Sequence, residues 1–432
     1  MLASASALVA DAKDELGVIA ALLEVPWYQF GRAAEEIHLV DIDAEVFLVE
    51  ALAGTAFEDP FTGEPMEALD AVRLCGFWRR LIDSNRGISD AFGFAFWKQE
   101  HVAPLLWGGS AHPRFARSVT DLKSDAPVAV WRTKAPVEVM AELERREIPV
   151  IEVEDGFLRS RGLGADCIPP LSITVDRVGA YFDPSQPSEL EQLLQAGGFD
   201  EPVICRAQEL RRAIVEVGLG KYETGIGAVD RPAGSRRHIL VPGQVEDDRA
   251  VQAGGCGLVS NLDLLKRVRV CEPDAYILYK PHPDVLAGHR RGAIPDQLCL
   301  AVADQIVADL PIASAIAIAD EVHVNTSLAG FEALLRNKPV TTHGVPFYAG
   351  WSLTNDLGPV PERRTATRSI DELVAATLLL YPRYLDPVTG IPCPAEVVVA
   401  RLSSSVGQNP GLLVGVRRFQ GKLMRRLRSL VQ

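Results

Sequence analysis

The tripeptide Glu154-Asp155-Gly156 sets two acids and a glycine directly after the apolar run Ile148 to Val153. Charge at the carboxyl end of a buried strand is costly unless something there uses it. Adjacent residues of an extended chain point to opposite faces. One acid is therefore expected to face a cleft while the other caps a loop or pairs with an arginine. Asp155, next to the glycine that lets the chain turn away, is the better candidate for the cleft; the alternative is a structural aspartate holding a tight turn. Arg159 and Arg161 follow, then Gly162-Leu163-Gly164, a weak phosphate-loop signal on its own.

A second group of residues has the chemistry to receive a phosphate. His282 sits between Pro281 and Pro283, which fix the backbone and present the imidazole rigidly, next to Lys280. An imidazole held so can donate to a leaving phosphate. Thr326 and Ser327 precede a helix-like segment, and hydroxyls with open backbone N–H groups at a helix start attract anions. Plain N-capping by Ser327 is compatible with that use. Gln244 stands in the turn Pro242-Gly243-Gln244 before Glu246-Asp247-Asp248, which is either a ribose or base contact or a solvated loop.

The elements that must carry these residues alternate. Strands are expected at 127–131, 150–153, 238–241, 275–279, 321–324 and 339–342, with a hairpin over 171–175 and 180–182. Helices are expected over 137–146, 188–195 with Ser188 as N-cap, 201–217, 262–270 and 328–337. Four consecutive strands of the later half end in polar or glycine-rich turns, which places those turns on one rim of a parallel sheet. The chemistry-bearing residues thus fall on the rims of two tandem Rossmann-like layers. The fold class is α/β, a GT-B-like pair of such domains with the site in the cleft between them.

The expected domains are a mainly helical region over 1–115, a first layer over 116–235 bearing the acids, a second over 236–402, and a tail over 403–432. Asp41-Ile42-Asp43 after Ile37 to Val40 resembles a metal-binding pair, but no further ligand is evident and no metal is expected. Asp59-Pro60-Phe61-Thr62-Gly63 recurs as Asp386-Pro387-Val388-Thr389-Gly390, each ahead of a helix-like segment. This is good turn chemistry, and it also fits a module boundary, with the N-terminus a remnant of a preceding module. The tail carries six basic residues and no acid over 416–431, with Phe419, Leu423, Leu427 and Leu430 at helical spacing. It reads as a basic amphipathic helix for an anionic membrane surface, or as a helix packed on the body.

A net charge of −13 argues against general nucleic-acid binding. The seven scattered cysteines form no paired motif and fit reduced thiols in a cytosol. Neither a signal peptide nor an apolar span of transmembrane length is evident.

Taken in order, E-D-G-F-L-R-S-R-G-L-G, L-S-I-T-V-D, V-P-G-Q-V-E-D-D, Y-K-P-H-P-D-V, T-S-L-A-G-F-E-A-L-L-R-N-K-P-V and Y-P-R-Y-L-D-P-V-T-G resemble the capsule polysaccharide β-Kdo transferases of the KpsC type. The resemblance runs over about 125–402 and implies one module of a family whose members often carry two. It implies a retaining transferase that takes CMP-β-Kdo as donor substrate, needs no cofactor, and builds the poly-Kdo linker on a phosphatidylglycerol-type acceptor. The place implied is the inner face of the inner membrane. Carried over by position, Asp155 is the nucleophile, Glu154 its supporting acid, and His282 and Ser327 hold the CMP phosphate. Thr326, Pro283, Gln244 and Lys280 lie near the donor, and Arg159, Arg161 or Lys280 meets the Kdo carboxylate. Trp131-Arg132-Thr133-Lys134 departs from the family pattern, with Arg132 where a glycine is usual. That departure is expected to shift acceptor choice or reduce activity. A CMP-sialate-type transferase and a non-catalytic CMP-sugar-binding subunit are the competing readings.

Overall fold

The computed structural model describes residues 8–10, 20, 26–33, 36–41 and 55–404, apart from 123–124, 161, 163–165, 222–224, 226–230, 233 and 235. The chain divides into two compact units, Met1–Arg86 and Gly87–Gln432.

The first unit departs from the expected helical character. Strands β1 (Leu8–Ala10), β2 (Trp27–Ala33) and β3 (Glu36–Asp41) form one sheet, β1 parallel and β3 antiparallel to β2. The sequence hid the β2–β3 hairpin because Ala34-Glu35 between them lacks the glycine or asparagine that tight hairpin turns favour. A second hairpin, β4 (Phe57–Glu58) with β5 (Pro65–Met66), leads into α1 (Ala68–Asn85). Asp41 closes β3, whereas Asp43 lies outside the described residues.

The second unit holds two sheets. The first comprises β6 (Asp90–Phe92), β7 (Arg114–Phe115), β8 (Val128–Val130), β9 (Val150–Asp155), β10 (Ser172–Asp176), β17 (Pro382–Leu385) and β18 (Pro392–Cys393), in the order β18-β17-β10-β9-β8-β6-β7. Strands β6 to β9 pair in parallel, and β10 runs antiparallel to both β9 and β17. This sheet begins before the expected boundary at 115/116 and recovers its last two strands from beyond the second sheet. Strands of two to four residues are too short to show a clear period of two, so 90–115 and 382–393 carried no strand signal.

The second sheet is wholly parallel: β11 (His238–Pro242), β12 (Tyr276–Lys280), β13 (Gln305–Ile306), β14 (Glu321–Val324), β15 (Val340–Thr342) and β16 (Asn355–Asp356), ordered β13-β12-β11-β14-β15-β16. Its inner strands β11, β12, β14 and β15 are buried on both faces, which is why β11 and β12 read as near-continuous apolar runs. Ile239, Val241, Ile277 and Tyr279 pack on Leu264, Leu265 and Val268 of the helix Asn261–Cys271. In the first layer, Val128 and Val130 pack on Val139 and Leu143 of the helix Val137–Arg145, while Ile151, Val153, Ile173 and Val175 fill the other face. The expected turns after β11, β12, β14 and β15 therefore share one rim.

The expected 171–182 hairpin does not form; 180–182 is not a strand. Asp176 ends β10 instead. Its Oδ1 accepts from the backbone N–H groups of Val178 and Gly179, both at 2.9 Å. Its Oδ2 accepts from Glu189 N at 2.9 Å and Tyr381 Oη at 2.8 Å. The chain is thus turned away, which carries Tyr181 and Phe182 to the cleft wall.

The sequence echo is also a structural one. Asp59 Oδ1 accepts from Phe61 N at 2.7 Å, and Asp59 O accepts from Gly63 N at 2.8 Å. Asp386 Oδ2 accepts from Thr389 N at 3.2 Å, and Asp386 O accepts from Gly390 N at 2.9 Å. Gly63 and Gly390 have φ of 76° and 71°, where glycine carries no penalty. Each turn closes an antiparallel hairpin that leads into a helix, α1 in one case and Ala395–Ser404 in the other.

Candidate active site

Strand β9 delivers both acids to one cleft. Gly156 N donates to Ser172 O at 2.9 Å, and a Cβ on Gly156 would stand 2.2 Å from Ser172 Oγ. Close approach to β10 is therefore what demands glycine after the two acids. The expectation that only one acid faces the cleft gives way: both line it, because the strand ends at the crevice and its two faces both open there.

Asp155 is held from two sides. Arg159 Nε lies 2.9 Å from its Oδ2, and Lys98 Nζ lies 3.2 Å from its Oδ1. Burial would raise its pKa, but Arg159, Lys98 and Lys221 overcome that and hold the carboxyl well below the usual carboxylate range. Glu154 differs. Burial and the neighbouring Asp155 charge push it up to about 7, against the pull of Arg249 and Lys98. Arg249 Nη1 lies 3.2 Å from Glu154 Oε1. Two adjacent carboxyls are thus driven apart in acidity, which separates a permanent anion from a group that titrates near neutrality.

Arg159 was one of three cations, with Arg161 and Lys280, of which one was expected to meet a substrate carboxylate. Arg159 is 1% exposed, and its Nη1 and Nη2 donate to Ser160 Oγ at 2.7 Å and Ile168 O at 3.0 Å, beside the pairing of Nε with Asp155. It serves as the pedestal of Asp155. Lys280 is likewise turned inward, its Nζ donating to Leu310 O. Both touch the cleft wall, yet both are committed to the protein.

The opposite rim belongs to the second sheet. His282 Nδ1 accepts from Asp284 N at 3.1 Å, which puts the ring hydrogen on Nε2. Burial pushes its pKa down to about 3, with the Lys221, Arg290 and Lys280 charges acting the same way, so the ring is neutral at pH 7. Ser327 caps the helix Leu328–Leu335, its Oγ accepting from Ala329 N at 3.3 Å. As the acceptor in that cap, the hydroxyl keeps its own hydrogen to donate. The helix start meets the condition for an anion site. Gln244 Oε1 accepts from Thr326 N at 3.3 Å, so Gln244 positions the Thr326-Ser327 turn.

Nine of the ten residues singled out from the sequence line one cavity of about 1010 Å³ between the two layers; the tenth, Arg161, lies outside the described residues. The cavity also exposes residues that sequence reasoning passed over. Lys98, on the helix Phe96–Val102, sits 3.3 Å from the Trp131 ring centroid. Arg249 opens the helix Arg249–Gly254 behind its N-cap Asp248. His289 Nε2 meets Asp166 Oδ1 at 3.1 Å, joining a loop of each layer. Arg132 is not part of the wall, for its Nε donates to Glu152 Oε1. No helix among the described residues is long and apolar enough to cross a membrane. The expected basic tail lies outside the described residues.

Comparison with known proteins places this geometry. Two solved structures cover nearly their whole chains with about three quarters of this one. They are Thermosulfurimonas dismutans KpsC, beta Kdo 2,7 transferase (35% identity, TM-score 0.60, 74% of this chain and 99% of that one), and the beta Kdo 2,4 transferase of the same organism (29%, 0.61, 73% and 98%). Among curated proteins, the capsule polysaccharide modification protein LipA of Neisseria meningitidis serogroup A is 37% identical over 376 residues, 85% of this chain and 53% of that protein. The lipopolysaccharide-processing protein LpsZ of Rhizobium meliloti is 42% identical over 269 residues, 61% of this chain and 60% of that protein. The chain therefore spans between half and two thirds of the length of these curated relatives. A family model for capsule polysaccharide biosynthesis proteins matches residues 126–216 and 222–384, across both layers and both rims of the cleft, and the chain belongs to that family.

Proposed function

We propose that this chain is a retaining β-Kdo glycosyltransferase of capsule biosynthesis that uses CMP-β-Kdo and acts by double displacement through Asp155. The observation that carries the reading is the pair at the end of β9: a carboxylate kept ionised by Arg159 and Lys98, next to a carboxyl that titrates near 7. Retention requires two inversions, hence a carboxylate nucleophile. Asp155 attacks the anomeric carbon, and the bond to the CMP phosphate oxygen breaks. Negative charge collects on that phosphate and is taken up by His282 Nε2–H, the Ser327 hydroxyl and the helix start; the ring hydrogen on Nε2 and the Ser327 cap support this assignment. An acceptor hydroxyl then displaces Asp155 from the sugar, giving its proton to Glu154. The identity of the transferases among the similar structures supports Kdo as the sugar.

The acceptor in this reading is a lipid-linked Kdo glycan, and the basic tail brings the chain to an anionic membrane surface. The reading is tested by supplying CMP-β-Kdo with a Kdo-terminated lipid acceptor and assigning the product by NMR. A β linkage is expected. An α linkage, or equal transfer from CMP-N-acetylneuraminate, would overturn it.

A further inference from the structure

Glu152 lies two residues before Glu154, so on extended β9 both carboxylates project to the same side. Arg249 of the second layer reaches both: its Nη1 stands 3.2 Å from Glu154 Oε1 and 3.6 Å from Glu152 Oε2. Glu152 is 8% exposed, and a buried acid without a cation is costly. Glu152 has a cation of its own, for Arg132 Nε donates to its Oε1. Arg249 is further held over the Phe182 ring, 4.8 Å from its centroid. The row Arg132, Glu152, Arg249, Glu154 thus alternates in sign from the outer rim of the first layer to the cleft. Glu154 is also faced by Asp155 and Glu152 from its own strand, Lys98 from the helix Phe96–Val102, and Asp248 beside Arg249.

Resting on the transferase reading, we propose that Arg249 is a positioning residue that fixes Glu154 from the donor-side layer, and that Arg132 keeps it there by occupying Glu152. The departure Trp131-Arg132 is then neither a block in the cleft nor a neutral change. It adds the charge that lets a single guanidinium serve the acid at the cleft. Without Arg132, Glu152 draws Arg249, which already stands 3.6 Å from its Oε2, further from Glu154. Without Arg249, Glu154 faces only burial and its acidic neighbours on that side, and it ionises at higher pH.

The test follows the titration of Glu154 by 13C NMR of protein labelled at the glutamate side-chain carboxyl, with Glu154→Gln identifying the resonance. No substrate is needed. Arg249→Gln is expected to raise the midpoint by roughly one pH unit, and Arg249→Lys to restore most of it. Arg132→Gly is expected to raise it by less, and Arg132→Lys to reverse that. An unmoved midpoint in folded Arg249→Gln, or in Arg132→Gly, would overturn the corresponding half of the proposal. Failure of the transferase reading shows separately, as absence of sugar transfer by the wild-type chain while the midpoints still move.

Discussion

The two rims of the cleft are built from different chemistry. The first layer brings ionisable groups into contact: Asp155 with Lys98 and Arg159, and Glu154 with Arg249 reaching over from the other side. The strand-end turns of the second layer offer neutral donors, the His282 ring and the Ser327 hydroxyl at a helix start. The difference teaches a division of labour. Charges whose acidity is split by mutual contact suit bond making and proton transfer. Neutral, backbone-anchored donors suit a phosphate whose second negative charge appears only as the bond breaks, since they cost no reorganisation when it does.

If the division holds, changes on the first rim act on turnover and those on the second on donor handling. Asp155→Ala removes the proposed nucleophile and is expected to lower kcat by at least about 10⁴-fold, with CMP binding by calorimetry nearly unchanged. Glu154→Gln should slow turnover by roughly 10²–10⁴-fold. With its pKa pushed up to about 7, Glu154 as the proposed base is competent only above that pH, so kcat should rise through it and then level. The Gln variant should lose this limb, and a limb that persists would assign the base elsewhere. His282→Ala should cost roughly 10²–10³-fold in kcat. Because burial keeps that ring neutral, with a pKa near 3, its loss should leave the pH profile between 5 and 8 unaltered. Ser327→Ala should raise KM for the donor about tenfold and, through the lost N-cap, lower stability by about 1 kcal/mol in urea unfolding.

What was legible follows from what is local. The strand turns bearing Glu154, Asp155, His282, Thr326 and Ser327 could be read because apolar runs stop abruptly at polar residues. Arg159 and Lys280 were found as cations near the site, but their commitment to Ser160, Ile168 and Leu310 depends on folding. Lys98 precedes Asp155 by 57 residues and Arg249 follows Glu154 by 95, so only tertiary structure joins them. The returning strands β17 and β18 were missed for their brevity, although the turn between them was noticed through its echo at Asp59.

The central claim is that a sugar is carried on Asp155. Incubation with CMP-β-Kdo and no acceptor, followed by intact-mass and peptide-fragment mass spectrometry, reads this directly. One Kdo residue should be found on the peptide spanning β9, localised to Asp155 and absent in Asp155→Ala. A modification on Glu154, or efficient transfer with no adduct in the wild type and undiminished turnover in Asp155→Ala, would contradict the account.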